Sequence, residues 1–201
     1  MIQWFSKKNR QMFNKIFIGG ILIVALLLIT TGGKLLKSYQ LERFNFINPC
    51  DRYQEDSGYQ LCNSFIAFQN GGIGGQGLGS STQKYLYLPE SYTDFIYPII
   101  VEEWGLIVGI IILIGYMFML LRIIKISRRA NNLRNSLICY GVFAYLLTHI
   151  MVNLMGVTGL IPLTGVPLPF LSYGGSYMIC LLLALGLVQR VNIESNKKIK
   201  K

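Results

Sequence analysis

The sequence predicts an all-α, polytopic membrane helix bundle with about four transmembrane helices and one long extracytoplasmic loop, 37–97. Three observations lead there. The chain of 201 residues is 52% hydrophobic and only 14% charged, with a mean hydropathy of +0.45, too apolar for an ordinary soluble domain. Four apolar stretches, about 16–36, 98–121, 135–155 and 170–189, approach or reach the ~20 residues needed to cross a hydrocarbon core. The charges also alternate in placement along the chain. If each stretch spans once, fourteen of the nineteen basic residues fall on one side: Lys7 to Lys15 before the first span, Arg122 to Arg134 between the second and third, and Arg190 to Lys201 after the fourth. Eight of the nine acids fall on the other side. The positive-inside rule then places both termini in the cytoplasm of a multi-pass cell-membrane protein. The formal charge of +10 reads as topology and lipid-headgroup contact, not as a nucleic-acid footprint.

The first stretch follows a basic segment and resembles a signal peptide, but Thr30 to Lys34 offers no small-residue cleavage site, so it reads as an uncleaved span. After it, Arg43 to Pro49 looks like a helix exit or turn, and Asp51 to Gly58 like a polar loop. Within 59–70, Leu61, Phe65 and Phe68 recur at helical spacing with Cys62 and Ile66 on the adjoining stripe. That pattern predicts a short amphipathic helix packed on the membrane or on other helices. Cys139 and Cys180 fall inside spans as small hydrophobes. Cys50 and Cys62 share the outer loop, where an oxidising compartment would permit a bridge, yet nothing in their spacing demands one and the expectation is two free thiols.

Glycines 71, 72, 74, 75, 77 and 79 follow. Such density implies special backbone angles or close approach of a ligand or a helix. A phosphate-cradling loop is one option, although GK[ST] and a preceding strand are missing. The carboxylates Glu90, Asp94, Glu102 and Glu103 come next, at the mouth of the second span. Ionisable groups at the bilayer edge raise the odds of a functional site. Asp94 suits a helix N-cap, but Pro98 has no N–H to bond its carbonyl. The helix is therefore expected to begin with Pro98 at its first position, leaving Asp94 outside it and available for chemistry. Glu102 and Glu103 in the first turns are favoured by the helix dipole. In the third span His149 and Asn153 share a helix face and are expected to join helices by hydrogen bonds, in preference to relaying protons. The connector 156–169 is rich in Gly and Pro and suits a re-entrant turn buried against other helices.

No HExxH, CxxC or G-x-S-x-G occurs, and a second histidine is lacking, which argues against metalloprotease, serine hydrolase and thiol redox chemistry. What remains is a carboxylate-bearing, glycine-rich outer loop beside the bilayer, suited to a lipid-linked substrate. A tuned carboxylate can serve as general base toward a sugar hydroxyl. A diphosphate leaving group needs cations or N–H donors, and Lys84 and Arg52 are the nearest cations. No metal-ligand set is read from the chain, and a divalent cation, Mg or Mn, on the diphosphate is left open.

Two long motifs carry a family resemblance. The first is GxGLGxSxQKYxYLPExxTDFIxxxxxEExG over 75–105, and the second comprises Asn153, Gly159-Leu160-Ile161-Pro162-Leu163-Thr164-Gly165, Leu168-Pro169-Phe170 and Ser172-Tyr173-Gly174-Gly175-Ser176. Together with Arg43-Phe44, Asn48-Pro49 and Gly58-Tyr59-Gln60 they resemble the SEDS family of polytopic membrane proteins, the FtsW/RodA/SpoVE group, over about 40–192. The QKYxYLPE form is most similar to the division-type members. The resemblance implies a peptidoglycan glycosyltransferase that polymerises lipid II with inversion. It implies Asp94 as the general base, with Ser80, Gln83, Lys84, Glu90 and Arg52 as substrate-binding candidates. It further implies lipid II, a class B penicillin-binding protein transpeptidase and divisome membrane proteins as partners, without nucleic acid. Family members have about ten spans, so 1–201 corresponds to the C-terminal half of the membrane domain. Two residues depart from the pattern: His149 stands where Gln is usual, and Tyr177 where a small residue is commoner. Two alternatives stand beside this reading, a lipid-linked precursor flippase and an inactive, truncated membrane partner.

Overall fold

The computed structural model describes residues 48–52, 56–88 and 91–199, all within the unit Arg43–Lys201. The expected first span, 16–36, lies outside the described residues. A 3-10 turn, Pro49–Arg52, precedes five helices: α1 (Asp56–Gly71), α2 (Thr82–Leu86), α3 (Ile96–Arg129), α4 (Leu133–Val157) and α5 (Gly175–Ile199). No strand occurs among the described residues.

Helices α3, α4 and α5 are long and apolar enough to cross a membrane. They meet along one seam. Tyr116, Leu120 and Ile123 of α3 and Cys139, Leu146 and Ile150 of α4 are buried there, with Leu181, Val188 and Val191 of α5. Their other faces stay apolar and uncovered: Ile111, Ile114 and Phe118 on α3, Leu137 and Met151 on α4, Leu182 and Leu183 on α5. Helices apolar all round are stable only where the surroundings are not water, so the chain is read as a multi-pass membrane protein.

Three expectations are corrected. The second span is longer than 98–121 and is broken. At Gly105 the backbone leaves helical geometry, with φ 83° and ψ 168°, a region open essentially to glycine alone. The straight part beyond it, 106–129, is about 36 Å long at 1.5 Å per residue, enough for a hydrocarbon core of about 30 Å. Second, α3 begins at Ile96, two residues before Pro98, with Phe95 as N-cap and no side-chain cap bond. Asp94 is thus outside the helix and does not cap it. Third, α5 starts at Gly175 and not at 170. Phe170 adopts a left-handed φ of 66°, which breaks any helix there. Ser172 spends its hydroxyl on the Leu168 N–H.

The predicted amphipathic helix is present as α1 and lies on other helices. Leu61, Cys62 and Ala67 are buried, the Phe68 ring meets Tyr97 of α3 edge-on at 6.1 Å, and Ser64 Oγ donates to the Val157 carbonyl of α4 at 2.9 Å. The thiols are not free, contrary to expectation. Cys50 and Cys62 form a disulfide, because the turn Pro49–Arg52 folds back on α1 and brings their Cα atoms to 4.9 Å.

The glycine loop enters the break in α3. Gln76 and Gly77 N–H groups donate to the Glu102 and Glu103 carbonyls, both at 2.9 Å, and the Leu106 N–H donates to the Gly72 carbonyl at 3.0 Å. The helix groups freed at Gly105 are therefore satisfied by the loop, as buried irregular backbone requires. This also decides against the phosphate cradle for this part of the loop. The N–H groups of Gly75, Gln76, Gly77 and Ser80 are spent on backbone carbonyls and do not gather around an anion.

Candidate active site

The segment 91–95 lies between α2 and α3 as a run of turns. Three successive carbonyls in it are held from the second motif. The Tyr173 N–H donates to Tyr92 O at 2.8 Å. Ser172 Oγ donates to Thr93 O at 2.5 Å. Asn153 Nδ2 donates to Asp94 O at 2.7 Å and, with its other hydrogen, to Val166 O at 2.8 Å. A backbone stretch without helix or sheet partners needs such donors when it is covered. Here they come from α4 and from the connector 158–174. The two sequence motifs, far apart in the chain, are thus one structural unit.

The connector is fixed in turn. Besides Asn153, Tyr116 Oη of α3 donates to the Pro169 carbonyl at 2.5 Å, and Leu168 N–H donates to Ser172 Oγ at 2.7 Å. The connector is irregular in backbone, as predicted, and its Leu168, Pro169 and Ser172 are buried against helices.

The Asp94 side chain is half-buried and lines a small recess with Val152, Asn153, Leu163, Thr164 and Gly165. Thr93 Oγ1 donates to Asp94 Oδ1 at 2.9 Å. A Cβ on Gly165, whose φ is 66°, would come within 3.8 Å of Asp94 Oδ2, so the connector passes directly beside the carboxylate.

A second cluster holds α2. Glu102 is fully buried and accepts from Asn70 Nδ2 at 3.0 Å, from Thr82 Oγ1 at 3.2 Å and from Ser81 Oγ. Ser81 is the N-cap of α2 and accepts from the Lys84 N–H. One carboxylate therefore orders the cap of the helix that carries Gln83 and Lys84. Lys84 Nζ pairs with Glu103 Oε1 at 3.4 Å and lies 5.4 Å from the Tyr85 ring and 5.8 Å from the Tyr92 ring.

The structure places the sequence candidates as follows. Asp94 is in the recess. Lys84 is tied to Glu103 beside Tyr92, two residues from Asp94. Gln83 is buried, with its Oε1 unpartnered among the described residues. Ser80 is exposed on the loop rim. Arg52 has its backbone in the turn beside the disulfide, and its side chain is outside the described residues, as is Glu90. Sequence reasoning missed the clamp on Tyr92, Thr93 and Asp94. Its signal was present, because Asn153, Ser172 and Tyr173 all stand in the second motif.

Comparison with known proteins fits this geometry. The "Cell cycle protein" model of FtsW, RodA and SpoVE matches residues 1–197. The chain belongs to the FtsW/RodA/SpoVE family. The match also covers the first 39 residues, beyond the reach of the two motifs. Among curated relatives, "Probable peptidoglycan glycosyltransferase FtsW" of Lactococcus lactis is 43% identical over 98% of this chain and 46% of that protein. The Bacillus subtilis protein of the same description is 39% identical over 100% and 51%. Stage V sporulation protein E of Bacillus subtilis is 42% identical over 77% and 42%. A solved structure described as "Structural coordination of polymerization and crosslinking by a peptidoglycan synthase complex" superposes with a TM-score of 0.62 at 31% identity, over 90% of this chain and 49% of that one. The chain spans about half the length of the curated FtsW relatives it matches.

Proposed function

We propose that this FtsW/RodA/SpoVE chain carries the catalytic carboxylate of a peptidoglycan glycosyltransferase, which polymerises lipid II at the outer face of the cell membrane during division. The Asp94 carboxylate takes the proton from the 4-hydroxyl of the acceptor sugar. The oxygen bonds to the anomeric carbon of the donor while the bond from that carbon to the diphosphate oxygen breaks on the opposite face. Undecaprenyl diphosphate leaves with the electron pair, and the configuration inverts. A base must be held within hydrogen-bond reach of the proton it removes, and small misplacements are costly in rate. One observation carries the reading: Asp94 opens into a recess while its backbone is fixed by donors from a different helix and from the connector. Ser80 and Lys84 are assigned to the donor diphosphate, Lys84 sharing its charge with Glu103.

The basic excess on one side assigns both termini to the cytoplasm and the Asp94 side to the exterior. The Cys50–Cys62 disulfide on that outer loop supports the same orientation. A class B penicillin-binding protein transpeptidase is assigned as partner. The support is the structural neighbour, described as coordinating polymerization and crosslinking in one complex.

The test is Asp94→Asn in the full-length protein, with labelled lipid II and its partner in membranes. Polymerisation is expected to fall at least a hundredfold while insertion and lipid II binding persist. Polymerisation at the wild-type rate would reject Asp94 as the base. Translocation of lipid II without polymer would move the assignment to a flippase.

A further inference from the structure

We infer that Asn153 is the positioning residue for the Asp94 carboxylate. This rests on the reading of Asp94 as the base. An asparagine that merely glues two helices has many ways to satisfy its amide. Here both amide hydrogens are committed, one to Asp94 O and one to Val166 O. The price is visible at the other end of the side chain. Asn153 is 4% exposed, and its Oδ1 is buried with no hydrogen-bond partner among the described residues. Buried carbonyl oxygens are rarely left unpaired, and those that are call for a reason. The reason here is geometric. Asn153 is on α4, a membrane-length helix with a buried seam. It is a rigid post from which one side chain sets two irregular segments, the one bearing Asp94 and the one passing Gly165 beside its carboxylate.

Val152, Asn153, Gly156 and Val157 together form the α4 wall of the recess. The register of α4 therefore fixes both where Asp94 begins and the shape of the space it faces. Without the amide, the Asp94 carbonyl loses its donor from α4, and the segment that carries the carboxylate loses its tie to that helix. A shift of about 1 Å at a catalytic group is enough for a hundredfold loss.

The test uses the full-length protein with its partner in membranes. Asn153→Ala removes both donors. Asn153→Asp keeps the shape and loses the amide hydrogens. Asn153→Gln keeps the amide on a longer stem. The expected result is a 10- to 100-fold fall in kcat for the first two, with KM for lipid II within about twofold, and partial recovery in Asn153→Gln. A second readout is independent of activity. In a Cys139→Ala, Cys180→Ala background, Asp94→Cys is labelled from outside with a membrane-impermeant maleimide, and adding Asn153→Ala is expected to speed labelling several-fold. Unchanged kcat and unchanged labelling would overturn the inference, as would a loss confined to KM or to insertion. If the wild-type protein does not polymerise lipid II but Asn153→Ala still changes the labelling rate, the positioning contact stands and the glycosyltransferase reading falls.

Discussion

Gly75 and Gly105 meet backbone against backbone where the glycine-rich loop enters the break in α3. A Cβ on Gly75 would strike Glu103 O and the Gly105 nitrogen, and a Cβ on Gly105 would strike Ile73 O and the Gly75 nitrogen. Both glycines have positive φ, 78° and 83°. Neither position can accept a side chain without separating loop from helix, and the loop is what satisfies the groups freed by the break.

Gly75→Ala and Gly105→Ala are therefore expected to destabilise the protein by about 3 kcal/mol or more, since strained backbone costs about 1–3 kcal/mol and overpacking a further 1–3. Gly115→Ala and Gly141→Ala are the controls, because a Cβ there meets nothing within 4 Å. Thermal unfolding in detergent separates the two pairs. Equal midpoints for Gly105→Ala and Gly115→Ala would show that the loop does not sit in the break.

The adjacent carboxylates at the end of the first helical segment of α3 should behave differently. Glu102 is fully buried and accepts three side-chain donors. Glu102→Ala leaves buried Ser81 and half-buried Asn70 without their acceptor, at a cost of about 3 kcal/mol. Glu103 is also buried but makes a single ion pair, at 3.4 Å, with half-buried Lys84, so Glu103→Gln, which keeps the shape and an acceptor oxygen, should cost less, about 1–2 kcal/mol. The same unfolding measurement ranks them, and a larger loss from Glu103→Gln would refute the assignment of Glu102 as the group that orders α2.

The disulfide predicts a redox-dependent stability. It closes a loop with a sequence separation of 12, for which the chain-entropy estimate is about 3 kcal/mol. Cys50→Ser, or reduction of the native protein, should lower the unfolding midpoint by a matching amount. Thiol-reactive labelling of the unfolded, unreduced protein should find only Cys139 and Cys180, and four reactive thiols would rule the bond out.

The sequence made the bundle legible because hydropathy and charge placement report the solvent of each segment directly. The place of Asp94 outside the helix was legible, because it stands just before a proline at a helix mouth. Although α3 begins at Ile96, before that proline, Asp94 is still outside it. The break at Gly105 was not legible, since the apolar run continues through it and a lone glycine in a helical pattern is usually tolerated. The break exists because of bonds to residues 72–77, about thirty positions earlier, and local pattern carries no such information. The disulfide was hidden for the same reason: its closure depends on how the turn Pro49–Arg52 folds onto α1. The clamp on Asp94 was half legible. Its residues were in view, but which carbonyls they reach is a property of tertiary register.

His149 and Tyr177, the two residues that the sequence reading set apart from the family pattern, are in contact with each other. Their rings stack between α4 and α5 with centroids 5.5 Å apart and planes 22° apart, and His149 also lies 4.2 Å from Tyr145. The large side chain at 177 thus has an aromatic partner at 149, and the pair joins two helices. The expected interhelical hydrogen bond is replaced: His149 Nδ1 bonds the Tyr145 carbonyl of its own helix at 3.0 Å, and the tie to α5 is the ring stack. His149→Gln and Tyr177→Ala should each destabilise modestly. The double variant should lose less than their sum, with a coupling of about 0.5–1.5 kcal/mol, the usual range for an aromatic pair. A double-mutant cycle on the unfolding free energy measures it. Strict additivity, within about 0.3 kcal/mol, would mean that the rings are neighbours without being partners. A fall in lipid II polymerisation confined to His149→Gln would instead give the imidazole a role in the reaction.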